Sequence, residues 1–218
     1  MSSVHSYKGF KFLSDEQMGK RLVEGWYEAE EIILLDLIPG IENLSILELG
    51  GCLGVVSVIA NSKLKDKQNH VVFEANPNLI PFLENNKRIN NCDFNIENAM
   101  VSETSDGVFY SYDKLVAGSA HRTDNKEKNK TKHNINVMSY EDVVNKYNLD
   151  FDVLIIDIEG GELEFLNEIK DVKTIKYVLV ELHEQQMFKN FNNQCFQALN
   201  NLGLKKIANR NSSFLYGR

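Results

Sequence analysis

The chain has 218 residues, with 24 Lys and Arg against 31 Asp and Glu, a formal net charge of −7 and an isoelectric point near 5.3. Charged residues make up 25% and apolar residues 43%, ordinary usage for a folded domain, which excludes a disordered or collagen-like chain. The acidic balance argues against general affinity for nucleic acid, because phosphates are repelled unless a local basic patch intervenes.

Cys52, Cys92 and Cys195 are odd in number, far apart and without a CxxC spacing, which argues against a disulfide framework or a thiol zinc site. The opening MSSVHSYKGFKF has no apolar signal-peptide core. The stretch IILLDLIPGI is interrupted by Asp36 and Pro39-Gly40 and is too short for a bilayer span of about 20 residues. A reducing cytoplasm and no membrane partner are the expectation.

In chain order, Ser14 and Gln17 have capping-box spacing, so a helix is expected from Asp15. A second helix is expected over 27–37, with Ile33, Leu34, Leu37 and Ile38 on one face, ended by Pro39-Gly40. Residues 1–40 thus read as a helical segment packed on the domain formed by 41–218. Within that domain LSILEL, HVVFEA, FNIENAMVS, GVFYSY, NINVMSY, FDVLIIDI and IKYVLVEL read as strands alternating with helices. The helix after HVVFEA is capped either by Asn76 or by Asn78, the latter with Pro81 in its first turn. LKKIANR and SSFLYG form a closing antiparallel hairpin that turns near Arg210-Asn211. The alternation implies an α/β, Rossmann-like fold: a mostly parallel twisted sheet with helices on both faces. The segment 121–134, HRTDNKEKNKTKHN, is polar and locally basic; the plain reading is a solvated loop, and the functional one is a lid over an acceptor.

Chemistry should gather beyond the carboxyl ends of the strands. ELGGCLG puts Glu48 at the end of the first sheet strand, and Gly50, Gly51 and Gly54 in the turn into a helix. Such a turn lets backbone approach a ligand, though tight packing alone also demands glycine. The pattern is E-x-G-x-x-x-G rather than the dinucleotide G-x-G-x-x-G. An acid before the turn repels a pyrophosphate and welcomes a cation such as the amino end of a sulfonium cofactor. Glu74, at the tip of the next strand, suits a ribose diol. Asn98-Ala99 lies where an adenine edge is read. IIDIEGGELEFL brings Asp157 and Glu159 out of an apolar strand, where acids are costly unless paired or solvated. They suit a general base, a metal or a substrate hydroxyl, whereas Glu162 and Glu164 read as helix-capping charges. VLVELHE leaves Glu181, His183 and Glu184 at the following tip, with His183 an alternative base. His121 and Arg122 are candidates for substrate contact, and His70 has no supporting context.

Together these segments resemble the FkbM family of S-adenosylmethionine-dependent methyltransferases, from GWYEAEE through ILELGGCLG, FEANP and NIENAMVSE to DIEGGELEFL and YVLVELHE. FEANP is similar to the family's FEPNP, and DIEGGELEFL to its DVEGAELEVL. Tyr27-Glu28 resembles a Tyr/Phe-Glu pair that precedes its first strand. The family's DIGANIG has Asp and Asn where this chain has Glu48 and Cys52, and Ala75 replaces a Pro. The resemblance implies a class I methyltransferase fold with S-adenosylmethionine held by Glu28, Glu48, the turn Gly50-Gly51-Cys52-Leu53-Gly54, Glu74, Ala75, Asn98, Ala99 and Asp157. It implies O-methylation of a sugar, glycan or secondary metabolite, with Asp157, Glu159 or His183 as the base. A divalent metal on Asp157, Glu159 and His183 fits the donors but is not required. The alternatives are a nicotinamide-dependent oxidoreductase, against which the missing fingerprint counts, and a non-catalytic cofactor-binding module.

Overall fold

The computed structural model describes residues 2–25, 27–112, 118–119, 130–183 and 189–218. An antiparallel hairpin of β1 (Ser3–Tyr7) and β2 (Phe10–Ser14) leads into helices α1 (Glu16–Glu24) and α2 (Ala29–Leu35). Strand and helix then alternate through β3 (Ile46–Leu49), α3 (Val55–Lys63), β4 (His70–Phe73), α4 (Ile80–Ile89) and β5 (Asn95–Glu97). Short strands follow: β6 (Ala99–Val101), β7 (Val108–Tyr112), β8 (Gly118–Ser119), β9 (Lys130–Asn134) and β10 (Asn136–Met138). The chain ends with α5 (Tyr140–Tyr147), β11 (Val153–Ile156), α6 (Glu162–Glu168), β12 (Tyr177–Glu181), α7 (Phe191–Asn201), β13 (Lys205–Arg210) and β14 (Ser213–Gly217).

Seven strands form the central sheet, in the order β13-β14-β12-β11-β3-β4-β5. From β5 to β12 all neighbours are parallel, and β14 is antiparallel to both β12 and β13. Every residue of β3, β4 and β11 is buried, as a parallel strand covered on both faces requires. Alternation along the strands divides the core in two. Ile46, Val72, Ile155 and Leu179 pack with Leu35, Val58 and Leu83 from α2, α3 and α4. Leu47, Phe73, Leu154 and Val180 pack with Val143, Phe165 and Leu199 from α5, α6 and α7. Each fully buried aliphatic side chain contributes about 1.5–3 kcal/mol. The chain leaves β3 for β4 on one side and returns as β11 on the other, so the switch point lies between β3 and β11.

The alternating architecture and the closing hairpin agree with the expected class I arrangement. Local details differ. The N-cap of α1 is Asp15, whose carboxylate accepts the Met18 N–H at 2.8 Å, while Ser14 belongs to β2. Residues 3–14 are a hairpin rather than part of a helical segment; Leu13 and Asn86 fasten it to α4 through paired backbone–amide bonds of 2.6 and 3.1 Å. In α2 the buried face is Ile32, Leu34 and Leu35, whereas Ile33 and Leu37 are exposed. The helix after β4 begins late, with Leu79 at its N-cap and Pro81 in its first turn. FNIENAMVS is broken at Asn98 into β5 and β6, because β6 leaves the central sheet to pair in parallel with β10. Lys130–Asn134, expected as loop, is β9, paired antiparallel to β7.

Candidate active site

A cavity of about 890 Å³ opens at the carboxyl ends of β3, β4, β11 and β12. Glu28, Gly50, Cys52, Glu74, Ala75, Ala99, Asp157, Glu159 and His183 all line it. Glu48, Gly51, Leu53, Gly54 and Asn98 do not. His121 and Arg122 lie outside the described residues.

Packing builds the glycine turn. Gly50 has φ +92°, and a Cβ there would overlap the carbonyl of Asp157 at the neighbouring strand tip. A Cβ on Gly51 would run into Val72, and one on Gly54, at φ +79°, into Leu83. Leu53 is fully buried and its carbonyl accepts the Asn86 amide at 2.8 Å. These three residues seat α3 against α4, leaving Gly50 and Cys52 to face the cavity. Cys52 is left-handed at φ +47°, and its Sγ lies 3.2 Å from the Tyr27 hydroxyl. Burial, then the charges of Glu28 and Glu74, push the Cys52 thiol well up.

Glu48 corrects the expectation that it would face a cofactor. It sits one residue short of the tip of β3, on the same face as Ile46, pointing towards α3. It is only 2% exposed; its carboxylate accepts the Ser57 hydroxyl at 2.7 Å and pairs with His70 Nε2 at 2.9 Å. His70, without context in the sequence, is its buried partner.

Glu74 opens into the cavity from just beyond β4, and the turn holds it. One carboxylate oxygen accepts the Cys52 N–H at 2.7 Å and the other the Asn76 N–H at 2.6 Å. Burial raises its pKa to about 7, although both backbone bonds act to lower it. Asn98 does not present its amide to a base: its Nδ2 donates to the Glu74 carbonyl at 2.8 Å. The neighbouring wall is apolar, formed by Phe73, Leu79, Ala99, Met100 and Val101.

The opposite wall is acidic. Glu28, at φ +53° ahead of α2, has its pKa raised to about 8 by burial and then by Glu31 and Glu181. Burial, then Glu28 and Glu181, hold Asp157 well above the usual carboxylate range. The turn of the closing hairpin organises these acids. Asn211 donates to Glu30 at 2.7 Å, Ser212 to Glu181 at 2.8 Å, and Ser213 to Glu31.

His183 lies between two sets of carboxylates. Its Nδ1 is 2.8 Å from Glu162 Oε1, while its Nε2 is 3.5 Å from Asp157 and 3.7 Å from Glu159. Burial alone would lower its pKa; the Glu162 bond and the charges of Glu159, Glu162 and Glu181 outweigh it, and the net shift is upward. Donor atoms of Asp157, Glu181 and His183 lie within 4.8 Å of one another, a spacing that could hold a metal ion.

Residues 49–205 match the family model described as the methyltransferase FkbM domain. The chain belongs to the FkbM methyltransferase family. The family's cofactor is S-adenosylmethionine. Solved structures show the same fold at low identity. A precorrin-6y C5,15-methyltransferase from Geobacter metallireducens GS-15 is 12% identical, with a TM-score of 0.55 and 95% of each chain covered. A ribosomal protein L11 methylase from Lactobacillus delbrueckii subsp. bulgaricus is 10% identical, with a TM-score of 0.50 and coverage of 85% of this chain and 74% of that one. A Pyrococcus abyssi tRNA (uracil-54, C5)-methyltransferase, in complex with S-adenosyl-L-homocysteine, is 13% identical at a TM-score of 0.50, covering 99% and 43%. No curated protein matches in sequence. Among the described residues, no helix is long and apolar enough to cross a membrane.

The donor set of this FkbM methyltransferase fits its cofactor. An apolar wall suits an adenine ring, the Glu74 carboxylate suits a vicinal diol, and Glu28, Asp157 and Glu181 suit a molecule carrying a sulfonium and an ammonium. Sequence reasoning missed Tyr27 as a wall residue, the hairpin turn 211–213, and the partnership of Glu162 with His183. The Ser-Ser pair after Asn211 is polar where a hairpin needs only turn residues, and that was the available signal.

Proposed function

We propose that this methyltransferase transfers a methyl group from S-adenosylmethionine to a hydroxyl of a small molecule, sugar or glycan, with His183 as general base. The observation that carries the reading is that one cavity joins Glu74 on its cofactor-suited side to His183 Nε2 on the other. Glu74, Ala75, the Gly50–Cys52 turn and Ala99 hold the nucleoside; Glu28 and Asp157 face the charged end. When bound, S-adenosylmethionine supplies a methyl carbon whose bond to sulfur breaks, the electron pair staying on sulfur, as the acceptor oxygen bonds to carbon. The chain's own task is to orient the acceptor and take its proton. His183 Nε2 receives that proton, and Asp157 and Glu159 stabilise the imidazolium from 3.5 and 3.7 Å.

A nucleic-acid acceptor fits poorly. Among the described residues the cavity is lined by Glu28, Glu30, Glu31, Glu74, Asp106, Asp157, Glu159, Glu164 and Glu181, against Arg21 and His183. Each ionised carboxylate about 5 Å from a phosphate costs roughly 1–3 kcal/mol. The test pairs calorimetry with labelled-methyl transfer. S-adenosylhomocysteine should bind and NADH should not; label from S-adenosylmethionine should appear on hydroxylated metabolites or glycans and be lost in His183→Asn. Binding of NADH alone, or methylation of tRNA in preference to every hydroxylated small molecule, would refute the reading.

A further inference from the structure

We propose that Glu162 is a positioning residue for His183: a buried carboxylate that fixes the imidazole tautomer and presents Nε2, unprotonated, to the acceptor. This rests on the reading above and adds the group that makes it work.

Glu162 is the first residue of α6, and its side chain is fully buried. A helix start does not require that, since an acid near a helix N-terminus gains its dipole interaction while solvated. No side chain caps this end. The carboxylate instead turns inward, where Oε1 accepts the Gly160 N–H at 3.1 Å and faces His183 Nδ1 at 2.8 Å. Oε1 already acts as an acceptor toward the Gly160 N–H, and in the same role toward the ring it leaves the proton on Nδ1 and the Nε2 lone pair for the cavity. Burying a carboxylate is costly unless a partner offsets it, and His183 is that partner, 21 residues along the chain and beyond a different strand.

The charged groups around His183 come from three elements. Glu162 stands at the start of α6, Asp157 and Glu159 follow β11, and Glu181 ends β12. When Nε2 takes the acceptor's proton, the imidazolium is flanked by Glu162 on one side and by Asp157 and Glu159 on the other. The proton then passes to solvent through the open cavity, and His183 returns to the Nδ1–H form. A positioning carboxylate of this kind does not take the proton itself.

The experiment is nitrogen-15 NMR of the histidine rings in the full chain, read against pH. Wild-type His183 is expected as the Nδ1–H tautomer when neutral. Glu162→Gln should mix the two neutral tautomers, because a carboxamide can either accept from Nδ1–H or donate to a bare Nδ1. S-adenosylhomocysteine affinity should stay within about threefold of wild type, because Glu162 does not line the cavity. Methyl transfer should fall on the order of 100-fold or more, and no further when His183→Asn is already present. An Nε2–H tautomer in the wild-type protein overturns the proposal without any variant, as does a purely Nδ1–H ring retained in Glu162→Gln. Failure of S-adenosylhomocysteine to bind wild type would instead overturn the methyltransferase reading, and the tautomer measurement stands apart from it.

Discussion

Glu74→Gln separates what Glu74 does for the fold from what it does for a ligand. Glu74 is 6% exposed and its pKa is raised from 4.5 to about 7. A pKa raised in the folded state contributes stability that is fully present below the unfolded value and lost as pH rises through the folded one. For a shift of this size the loss between pH 5 and pH 8 is about 2–3 kcal/mol. Gln cannot ionise, so the variant lacks this loss. Below pH 5 a neutral carboxyl and an amide are close in shape, and either accepts only one of the N–H groups of Cys52 and Asn76 well. There the two proteins should differ by about 1 kcal/mol or less.

Urea denaturation at pH 5, 6.5 and 8 should therefore show the variant gaining on wild type by about 2–3 kcal/mol across the series. S-adenosylhomocysteine affinity should move the opposite way. A charge-assisted hydrogen bond is worth about 1.5–3 kcal/mol, so the variant should bind roughly 10–100-fold more weakly at pH 8. A stability difference flat across pH would refute the burial argument. Wild-type affinity in the variant would refute the assignment of Glu74 to the cofactor.

Glu48→Gln breaks the buried link to Ser57 and His70 and should cost about 1–3 kcal/mol in urea denaturation, while S-adenosylhomocysteine affinity stays within about threefold; a large affinity loss with unchanged stability would return Glu48 to the cofactor site. Gly50→Ala forces alanine into the left-handed region, at about 1–2 kcal/mol, and against the Asp157 carbonyl, so the total loss should exceed that figure and abolish ligand binding; wild-type stability would show that the turn is not packed this closely. Dialysis against a chelator should leave methyl transfer unchanged, and millimolar Mn²⁺ should inhibit by occupying Asp157, Glu181 and His183. Activity lost to chelation and restored by Mg²⁺ would recast His183 as a metal ligand.

The parallel strands were legible because β3, β4 and β11 are apolar at nearly every position, a pattern that only a sheet covered on both faces explains. The first hairpin was not. Its turn is Lys8-Gly9, both with positive φ, where the usual signal for such a turn is Asn-Gly or Asp-Gly. β9 was hidden because, among the described residues, it pairs with β7 alone and is largely exposed, so no apolar alternation marks it. Within the site, Glu74 and Asp157 were legible because each follows an apolar strand and reaches its mouth. Glu48 misled because it lies on the same face but two residues short of the level of Glu74 and Asp157, where α3 covers the strand and Ser57 and His70 take its carboxylate. Glu162 was read as a helix-capping charge because its partner lies on another element, and sequence spacing carries no information about that contact.

The acids on the far wall raise a question of stability as well as of binding. Glu28, Glu31 and Asp157 are all pushed up by burial first and then by neighbouring acids, and Glu181 contributes to each shift. Ser212 and Ser213 of the closing hairpin hold Glu181 and Glu31 in place, so these two acids do not relieve the repulsion by rotation. A cation entering the wall removes that repulsion. Glu181→Gln should therefore stabilise the ligand-free protein at pH 8. Oxygens of Asp157 and Glu181 lie within 4.8 Å, and a unit charge at that distance is worth about 1–3 kcal/mol. The same change should weaken S-adenosylmethionine more than S-adenosylhomocysteine, because only the former carries the sulfonium charge. Calorimetry of both ligands on both proteins measures the difference directly. If the ratio of the two affinities is the same in wild type and variant, the acidic wall does not recognise the sulfonium.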